Sequence, residues 1–300
     1  MLNDQNYKIN LHILEGCNYH CKHCFAHFGS HKTLSLDMWK KIVDNCLKFP
    51  VSEFNLAGGE PMLYKDLIPL AEYIKSKGKK VSLITNGSCM KHEWIQQNAK
   101  LWTTIGFSVD SFTDSTLKNL GRISKSGNQF TLIKLKECCK EIKEYNPECQ
   151  IKMNTVVSTI NKDETFYDFP DVISKWKIIK VKLYESEQFS NKDILITDDE
   201  FRSFAKRNLV MLMNQLSVSL DSENLQSQIF EVNPQQTVVI EYTTSGSYII
   251  VDANGYLLDN YVENAYQPVS NLLEEDFLDG LRKLHFDKER YWSRYKAVDR

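Results

Sequence analysis

Short apolar runs rich in β-branched residues alternate with stretches of helical periodicity over the first 185 residues. The runs predict six strands, near 9–14, 53–57, 81–85, 103–108, 151–157 and 177–184. The stretches between them predict helices near 36–48, 66–76, 91–99, 115–120, 131–145 and 163–175. This alternation is typical of βα units around a parallel sheet. We therefore predict an α/β fold in which residues 1–185 form a partial (β/α)6 barrel.

The pattern changes after the sixth predicted strand. A helix is predicted near 198–216, strands near 237–242 and 248–252, a turn at 252–255 and a last helix near 274–284. We expect residues 186–300 to form a C-terminal extension that caps the mouth of the barrel.

The charge balance limits the classes of partner. The 300 residues carry a formal net charge of -2, and the sequence pI is about 6.4. Such a chain has no overall basic field for nucleic acid or an acidic membrane. The first residues, MLNDQNYKINLHIL, resemble neither a signal peptide nor an amphipathic anchor. We expect a cytoplasmic protein without a nucleic-acid or membrane partner, whose eight cysteines are thiols or metal ligands.

Three of the cysteines follow the first predicted strand as Cys17-x3-Cys21-x2-Cys24. Active sites of α/β barrels lie at the carboxyl ends of the strands. Three thiolates on a [4Fe–4S] cluster would leave one iron open to an external ligand. The same segment also allows a tetrahedral zinc site made of Cys21, Cys24, His27 and His31, which would be typical of a nucleic-acid-binding module.

A Gly58-Gly59-Glu60-Pro61 string at the end of the second predicted strand favours the cluster over zinc. Adjacent glycines allow a close approach of the backbone, and a carboxylate can accept hydrogen bonds from an amine. Together with the cysteine spacing, this string resembles the radical S-adenosylmethionine (SAM) superfamily. The resemblance implies a [4Fe–4S] cluster on Cys17, Cys21 and Cys24, with SAM as the second cofactor.

Polar residues recur at the carboxyl ends of the third and fourth predicted strands, in the strings TNGS and SVDS. Each string alone is typical of a turn or a helix cap. The resemblance assigns SAM binding to Tyr19, Phe25, Gly58, Gly59, Glu60, Asn86, Ser88, Ser108 and Asp110. The chain has no cysteine after Cys149, which argues against superfamily members that carry further clusters in a C-terminal extension.

Further strings resemble the viperin family over most of positions 8–300. They are CNYHC, GGEP, NGS, SVDSF followed by Gly-Arg at 121–122, KMN at 152–154, KWK at 175–177 and YWS at 291–293. Viperins convert a ribonucleoside triphosphate into its 3′-deoxy-3′,4′-didehydro analogue, an antiviral chain terminator, after a 5′-deoxyadenosyl radical removes the 4′-hydrogen. The resemblance implies a lyase-type nucleotide dehydratase, with a flavodoxin or ferredoxin as electron donor. It assigns nucleotide binding to Asn10, Asn55, Arg122, Lys152, Asn154, Lys175 and Lys177.

The lysines also support a triphosphate site independently of the resemblance. Lys152 and Asn154 are alternate residues of one predicted strand and so share a face, as do Lys175 and Lys177. Burying a lysine without an anionic partner is costly, and phosphate oxygens are good partners. Lys180 and Lys182 are weaker candidates. The alternative within the superfamily is an enzyme acting on a peptide or lipid, in which these lysines would be solvated.

The chain departs from the family pattern at two positions near the expected site. His23 precedes the third cysteine, where an aromatic residue is common, and Ala57 precedes GGEP, where animal viperins have serine. The amphipathic membrane helix of animal viperins is also missing, which indicates a prokaryotic type of viperin.

Overall fold

A computed structural model of the protein describes residues 6–24, 33–185, 189–214, 218–221, 227–261 and 266–293. Its centre is a run of six parallel strands that follow one another in space as in sequence. They are β1 (Tyr7–Leu14), β2 (Val51–Gly58), β3 (Lys80–Thr85), β4 (Thr104–Ser108), β5 (Gln150–Val157) and β6 (Ile173–Lys180). The six predicted strands of the α/β fold are therefore present.

Helices pack on the outside of these strands. They are α1 (Leu36–Cys46), α2 (Leu67–Ser76), α3 (His92–Asn98), α4 (Asp114–Asn119) and α5 (Leu132–Tyr145). Helix α1 shows why these segments are helical. Its N-cap Ser35 accepts a hydrogen bond from the backbone N–H of Met38, and Trp39, Ile42 and Val43 form a buried stripe at helical spacing.

The C-terminal part of the chain extends the same sheet at both edges. It contains α6 (Asp198–Met213), β7 (Ser227–Asn233), β8 (Gln236–Glu241), β9 (Ile249–Val251), β10 (Tyr256–Asp259), β11 (Gln267–Asn271), α7 (Phe277–Arg282) and α8 (Lys288–Ser293). Strand β8 pairs in parallel with β6, and β9 pairs in parallel with β1. The connection between β8 and β9, residues 242–248, therefore links the two edges of the six-stranded barrel sheet. The division into a barrel and an extension near residue 185 stays a prediction.

One predicted helix was wrong. Residues 163–175 form turns that lead into β6, which begins at Ile173, four residues before the predicted start. Pro170 interrupts the segment because proline lacks the N–H that a helix interior requires, and Asp168 has a left-handed φ of 63°. Phe166 is instead buried and its backbone N–H donates to the Asn208 side chain at 2.9 Å. The predicted segment 198–216 is helical to Met213, and residue 216 lies outside the described residues.

Strands β7, β10 and β11 were not predicted. Strands β10 and β11 are short, with four and five residues, and β7 and β11 lie at the two edges of the sheet. No helix in the described part of the chain combines the length and apolar character needed to cross a membrane.

Candidate active site

A cavity of about 270 Å³ opens at the carboxyl ends of the barrel strands. The cysteine loop lies at one end, and residues from β5, β6 and the C-terminal strands form the opposite wall. Most of the predicted site residues line it: Asn10, Cys17, Tyr19, Cys21, Cys24, Asn55, Gly58, Gly59, Asn86, Ser108, Arg122, Lys152, Asn154 and Lys177. The fold thus brings together residues separated by up to 167 positions in the sequence.

The cysteine loop is fixed by hydrogen bonds to the segment that follows α4. The backbone N–H of His20 donates to the Gly121 carbonyl at 3.2 Å, and that of Lys22 donates to the Leu120 carbonyl at 3.0 Å. A Cβ atom at Gly121 would lie 2.1 Å from the His20 carbonyl oxygen, and the φ of Gly121 is +76°. A side chain at this position would therefore separate the two segments.

The paired glycines of GGEP pack against the chain that leads into the cysteine loop. A Cβ atom at Gly58 would lie 2.3 Å from the Leu14 carbonyl oxygen, and one at Gly59 would lie 2.3 Å from the carbonyl oxygen of Gly16. The Gly59 N–H donates to the Leu14 carbonyl at 2.6 Å. The protein's own backbone thus occupies the space that a side chain at either glycine would need, while both glycines also line the cavity. Their contact with SAM stays a prediction.

Glu60 is fully buried and does not line the cavity. Its carboxylate accepts hydrogen bonds from the Thr85 hydroxyl at 2.7 Å and from the backbone N–H groups of Asn86 at 2.7 Å and Met62 at 3.1 Å. Burial raises the pKa of Glu60, and these hydrogen bonds oppose the rise. The carboxylate therefore ties the second loop to the third.

Asp110, Arg122 and His23 form a buried polar cluster beneath the cysteine loop. The Arg122 guanidinium donates to the Asp110 carboxylate, and His23 Nε2 lies 3.3 Å from the same carboxylate oxygen. The other Asp110 oxygen accepts the Val156 N–H at 2.7 Å. Burial lowers the pKa of His23 to about 4, so this imidazole is neutral at pH 7. Asp110 thus contacts the protein on both carboxylate oxygens and lies behind the cavity wall.

A second buried ion pair lies on the opposite wall, on β6. Lys177 Nζ is 2.7 Å from Glu241 Oε1, and it also donates to the Tyr248 hydroxyl. The Tyr248 hydroxyl in turn donates to Glu241 Oε2 at 3.0 Å. Lys177 and Tyr248 line the cavity, while Glu241 is fully buried. The Lys177 charge is therefore already balanced by a carboxylate of the C-terminal part.

Lys152 differs from Lys177 because no described residue forms an ion pair or hydrogen bond with it. It lies opposite Lys175 in the β5–β6 pairing, and Asn154 lies opposite Lys177. Burial, followed by repulsion from Lys177 and Lys175, lowers the pKa of Lys152 well below its usual range. Next to it, the Asn154 side-chain oxygen is buried and has no hydrogen-bond partner among the residues that the structure describes. A ligand could therefore provide an anionic group for Lys152 and a hydrogen-bond donor for the Asn154 oxygen.

Four of the predicted site residues do not line the cavity. They are Glu60, Ser88, Asp110 and Lys175. Ser88 instead accepts a hydrogen bond from the Asn18 side chain at 2.8 Å. Phe25, predicted to bind SAM, lies outside the described residues, as do His27 and His31 of the alternative zinc site.

Several cavity residues were missed by the sequence analysis. They include His12, Tyr184, Thr244, Tyr248 and Tyr266. Tyr248 was inside a predicted strand, and Tyr184 follows Lys180 and Lys182 at the period-two spacing of a strand face. For Thr244 and Tyr266 no sequence signal was present, because they come from loops that only the pairing of β9 with β1 brings to the cavity.

The cysteine loop fits an iron–sulfur cluster in its donor set. Three thiols line one cavity, and Cys17 Sγ accepts hydrogen bonds from the Tyr19 N–H at 3.4 Å and the Asn86 amide at 3.8 Å. Cluster thiolates are commonly hydrogen-bonded in this way. Within the described ranges, no three His, Cys, Asp or Glu side chains form a site for a single metal ion.

Comparison with known proteins defines the class. The sequence model of the Radical SAM superfamily matches residues 11–172. An S-adenosylmethionine-dependent nucleotide dehydratase of Selenomonas ruminantium is 37% identical over 96% of this chain and 98% of its own length. Proteins with the same description from Psychrobacter lutiphocae and a Fibrobacter species are 29% and 30% identical, over 97% and 98% of this chain and 95% and 90% of theirs.

Solved structures support the fold. The anSMEcpe structure with bound AdoMet and Cp18Cys peptide gives a TM-score of 0.64 at 17% identity, over 96% of this chain and 82% of that chain. Streptococcus suis SuiB bound to S-adenosylmethionine gives 0.66 at 15% identity, over 96% and 67%. At such identities the likeness concerns the fold alone.

The chain belongs to the radical SAM superfamily and, within it, to the viperins, the S-adenosylmethionine-dependent nucleotide dehydratases. It is a radical SAM enzyme whose cofactors are a [4Fe–4S] cluster and SAM.

Proposed function

We propose that this enzyme removes the elements of water from a ribonucleoside triphosphate and forms the 3′-deoxy-3′,4′-didehydro nucleotide. The relatives named as nucleotide dehydratases support a nucleotide substrate. The observation that carries the proposal within this chain is the pair formed by Lys152 and Asn154. Lys152 forms no ion pair or hydrogen bond with any described residue, and beside it the buried Asn154 side-chain oxygen has no donor in the same part of the chain. A nucleotide offers both phosphate oxygens and hydroxyl groups.

The cofactors supply the radical chemistry when bound: reductive cleavage of SAM gives methionine and a 5′-deoxyadenosyl radical. We assign Cys17, Cys21 and Cys24 as the cluster ligands. SAM would contact Tyr19, Gly58, Gly59, Asn86 and Ser108. The nucleotide would contact Asn10, Asn55, Lys152, Asn154 and Lys177, all of which line the cavity.

Each residue has a role that its contacts support. Lys152 holds phosphate oxygens, and Lys177, although it is paired with Glu241, adds a second hydrogen-bond donor for them on the same wall. Asn55 Nδ2 donates to Asn10 Oδ1 at 2.8 Å, which orients the two amides across the first pair of strands. Arg122 lines the cavity, and its contacts with Asp110 and with His23 Nε2, at 3.4 Å, fix the cysteine loop relative to it. Holding the ribose in one orientation selects its 4′-hydrogen for removal.

The overall conversion consumes electrons as well as SAM, so a one-electron donor is needed. We propose a small redox protein of the flavodoxin or ferredoxin type. We also propose a cytoplasmic location, which the free state of all eight cysteines supports, since reducing compartments keep thiols unpaired.

The direct test is a product assay with each of the four ribonucleoside triphosphates. The reconstituted enzyme is incubated with SAM and a reductant under anaerobic conditions, and the nucleotides are examined by mass spectrometry. We expect a product lighter than its substrate by the elements of water, together with 5′-deoxyadenosine. If all four nucleotides stay intact while a peptide or lipid is converted, the nucleotide assignment is wrong.

A further inference from the structure

An aromatic pair lies on the cavity wall beyond the end of β6. The rings of Tyr184 and Tyr266 are stacked, with centroids 6.0 Å apart and planes inclined by 16°, and both residues line the cavity. The Lys182 ammonium lies 5.6 Å from the centroid of the Tyr266 ring and donates to the Ser245 hydroxyl at 3.2 Å. Lys182 is itself on the cavity wall. None of these residues has a part in cluster, SAM or phosphate binding as proposed above.

A short segment connects this pair to the phosphate wall. Residues 244–248 carry Ser245, the partner of Lys182, and Tyr248, the partner of Lys177. Lys177 and Lys180 are separated by three residues of extended strand, about 10 Å, and Lys182 lies beyond them. One elongated ligand lying along this segment would place one end at Lys177 and the other at the tyrosine pair.

We propose that Lys182, Tyr184 and Tyr266 form the subsite for the nucleobase of the substrate. Planar heteroaromatic bases stack on tyrosine rings, and every base offers a π-face. Lysine can only donate hydrogen bonds, so its ammonium favours bases with a carbonyl acceptor: cytosine, uracil and guanine, in preference to adenine. The inference rests on the proposed function, because it concerns the base of that same triphosphate.

The experiment must distinguish the nucleobase from two other groups that could occupy this subsite. The adenine of SAM is also a planar base. Tyr184 lies near Cys24: burial raises the pKa of this tyrosine, and a thiolate at Cys24 raises it further. A phosphate group could bind Lys182 directly. Separate titrations with SAM, inorganic tripolyphosphate and each ribonucleoside triphosphate distinguish these three ligands.

The test compares Tyr184→Leu, Tyr266→Leu and Lys182→Met with the control Tyr167→Leu. Tyr167 is 70% exposed and lies away from the cavity. Dissociation constants are measured by calorimetry on the reconstituted holoenzyme, and circular dichroism confirms folding. We expect each tyrosine variant to bind its preferred nucleotide about five- to 150-fold more weakly, with SAM and tripolyphosphate unchanged. Lys182→Met should reduce the preference for carbonyl-bearing bases over adenine by about tenfold or more.

Three results would overturn the subsite. Weaker SAM binding with unchanged nucleotide binding would assign the tyrosine pair to the adenine of SAM. Equal loss for nucleotide and tripolyphosphate would make it part of the phosphate site, and unchanged binding of every ligand would make it structural. If the unsubstituted enzyme binds no nucleoside triphosphate, the proposed function itself fails, which is a separate outcome.

Discussion

The two ends of the cavity differ in how their buried polar groups are satisfied. At the cysteine end, Glu60 accepts three hydrogen bonds from the protein, and Asp110 is paired with Arg122. At the β5 end, Lys152 has no ion pair within the described residues, and the Asn154 side-chain oxygen has no hydrogen-bond partner. The carboxylates at the cysteine end are therefore satisfied by the chain itself, whereas Lys152 and Asn154 at the β5 end can be satisfied by a ligand. Among the described residues, the Tyr19 hydroxyl and His23 Nδ1 at the cysteine end are also buried without a hydrogen-bond partner.

The largest effect is expected at the cysteine end. Replacing Cys21 by alanine should prevent cluster assembly, because it leaves two thiolates where three are needed. Iron and sulfide should fall far below the about four of each per chain that the unsubstituted protein binds, and 5′-deoxyadenosine formation should be lost. The control is Cys138→Ala, since that thiol is buried in α5. Retention of full iron in Cys21→Ala, or bound zinc in the unsubstituted protein, would contradict the cluster assignment.

The next effect is on folding. Asp110→Ala removes the carboxylate from a buried ion pair and leaves the Arg122 charge uncompensated, which should lower the free energy of unfolding by about 3–5 kcal/mol. Denaturant titration measures this change. The matched control is Asp37→Ala, because Asp37 is 88% exposed and lies 3.9 Å from Lys40; here we expect a change of about 0–1 kcal/mol. A similar fall in the free energy of unfolding in both variants would mean that the buried Asp110–Arg122 pair stabilises the fold no more than an exposed pair does.

At the opposite end, Lys152→Met should affect binding and not folding. Loss of one charged hydrogen bond should weaken nucleoside triphosphate binding roughly ten- to a hundredfold, while SAM binding stays unchanged. Because methionine removes a buried charge that Lys175 and Lys177 repel, the free energy of unfolding should stay the same or rise. The control variant is Lys136→Met, because Lys136 forms an ion pair with Asp168 and its side chain is 39% exposed. A fall in stability with equal loss of both ligands would assign Lys152 to the fold.

The smallest expected effect is the uptake of protons when the nucleotide binds. In the free protein, burial and then the neighbouring lysines lower the pKa of Lys152, and a bound triphosphate should raise it again. At a pH between these two values, binding takes up as much as about one proton, and affinity falls as pH rises. Calorimetry in buffers of different ionisation enthalpy measures this uptake. The uptake should be absent in Lys152→Met; unchanged uptake there would show that another group titrates.

The same contrast explains what the sequence could predict. The residues of the cysteine end could be predicted because they stand in short contiguous strings of the sequence. Gly58 and Gly59 pack so closely on the residues before Cys17 that no side chain is permitted at these two positions. The six barrel strands were predicted from apolar periodicity, and their parallel arrangement from the alternation with helices. Asp110 was assigned to SAM because its string resembles a site motif, yet its carboxylate is directed at Arg122 and Val156.

The C-terminal part of the site could not be predicted in the same way. Tyr248 reaches Lys177 only because β8 pairs with β6 and β9 pairs with β1, and such long-range pairing has no local signature. The predicted helix at 163–175 was wrong for a local reason, since Pro170 lacks the backbone N–H that a helix interior requires.

The most direct measurement of the central claim uses a ribonucleoside triphosphate deuterated at the 4′ position. If the cationic wall holds the triphosphate so that the 4′-hydrogen faces the radical, the 5′-deoxyadenosine formed should carry deuterium, and the nucleotide product should be lighter by the elements of water. Lys152→Met should lower this coupled turnover by up to about a hundredfold while slow SAM cleavage continues. Unlabelled 5′-deoxyadenosine together with intact nucleotide, for all four bases, would contradict the account.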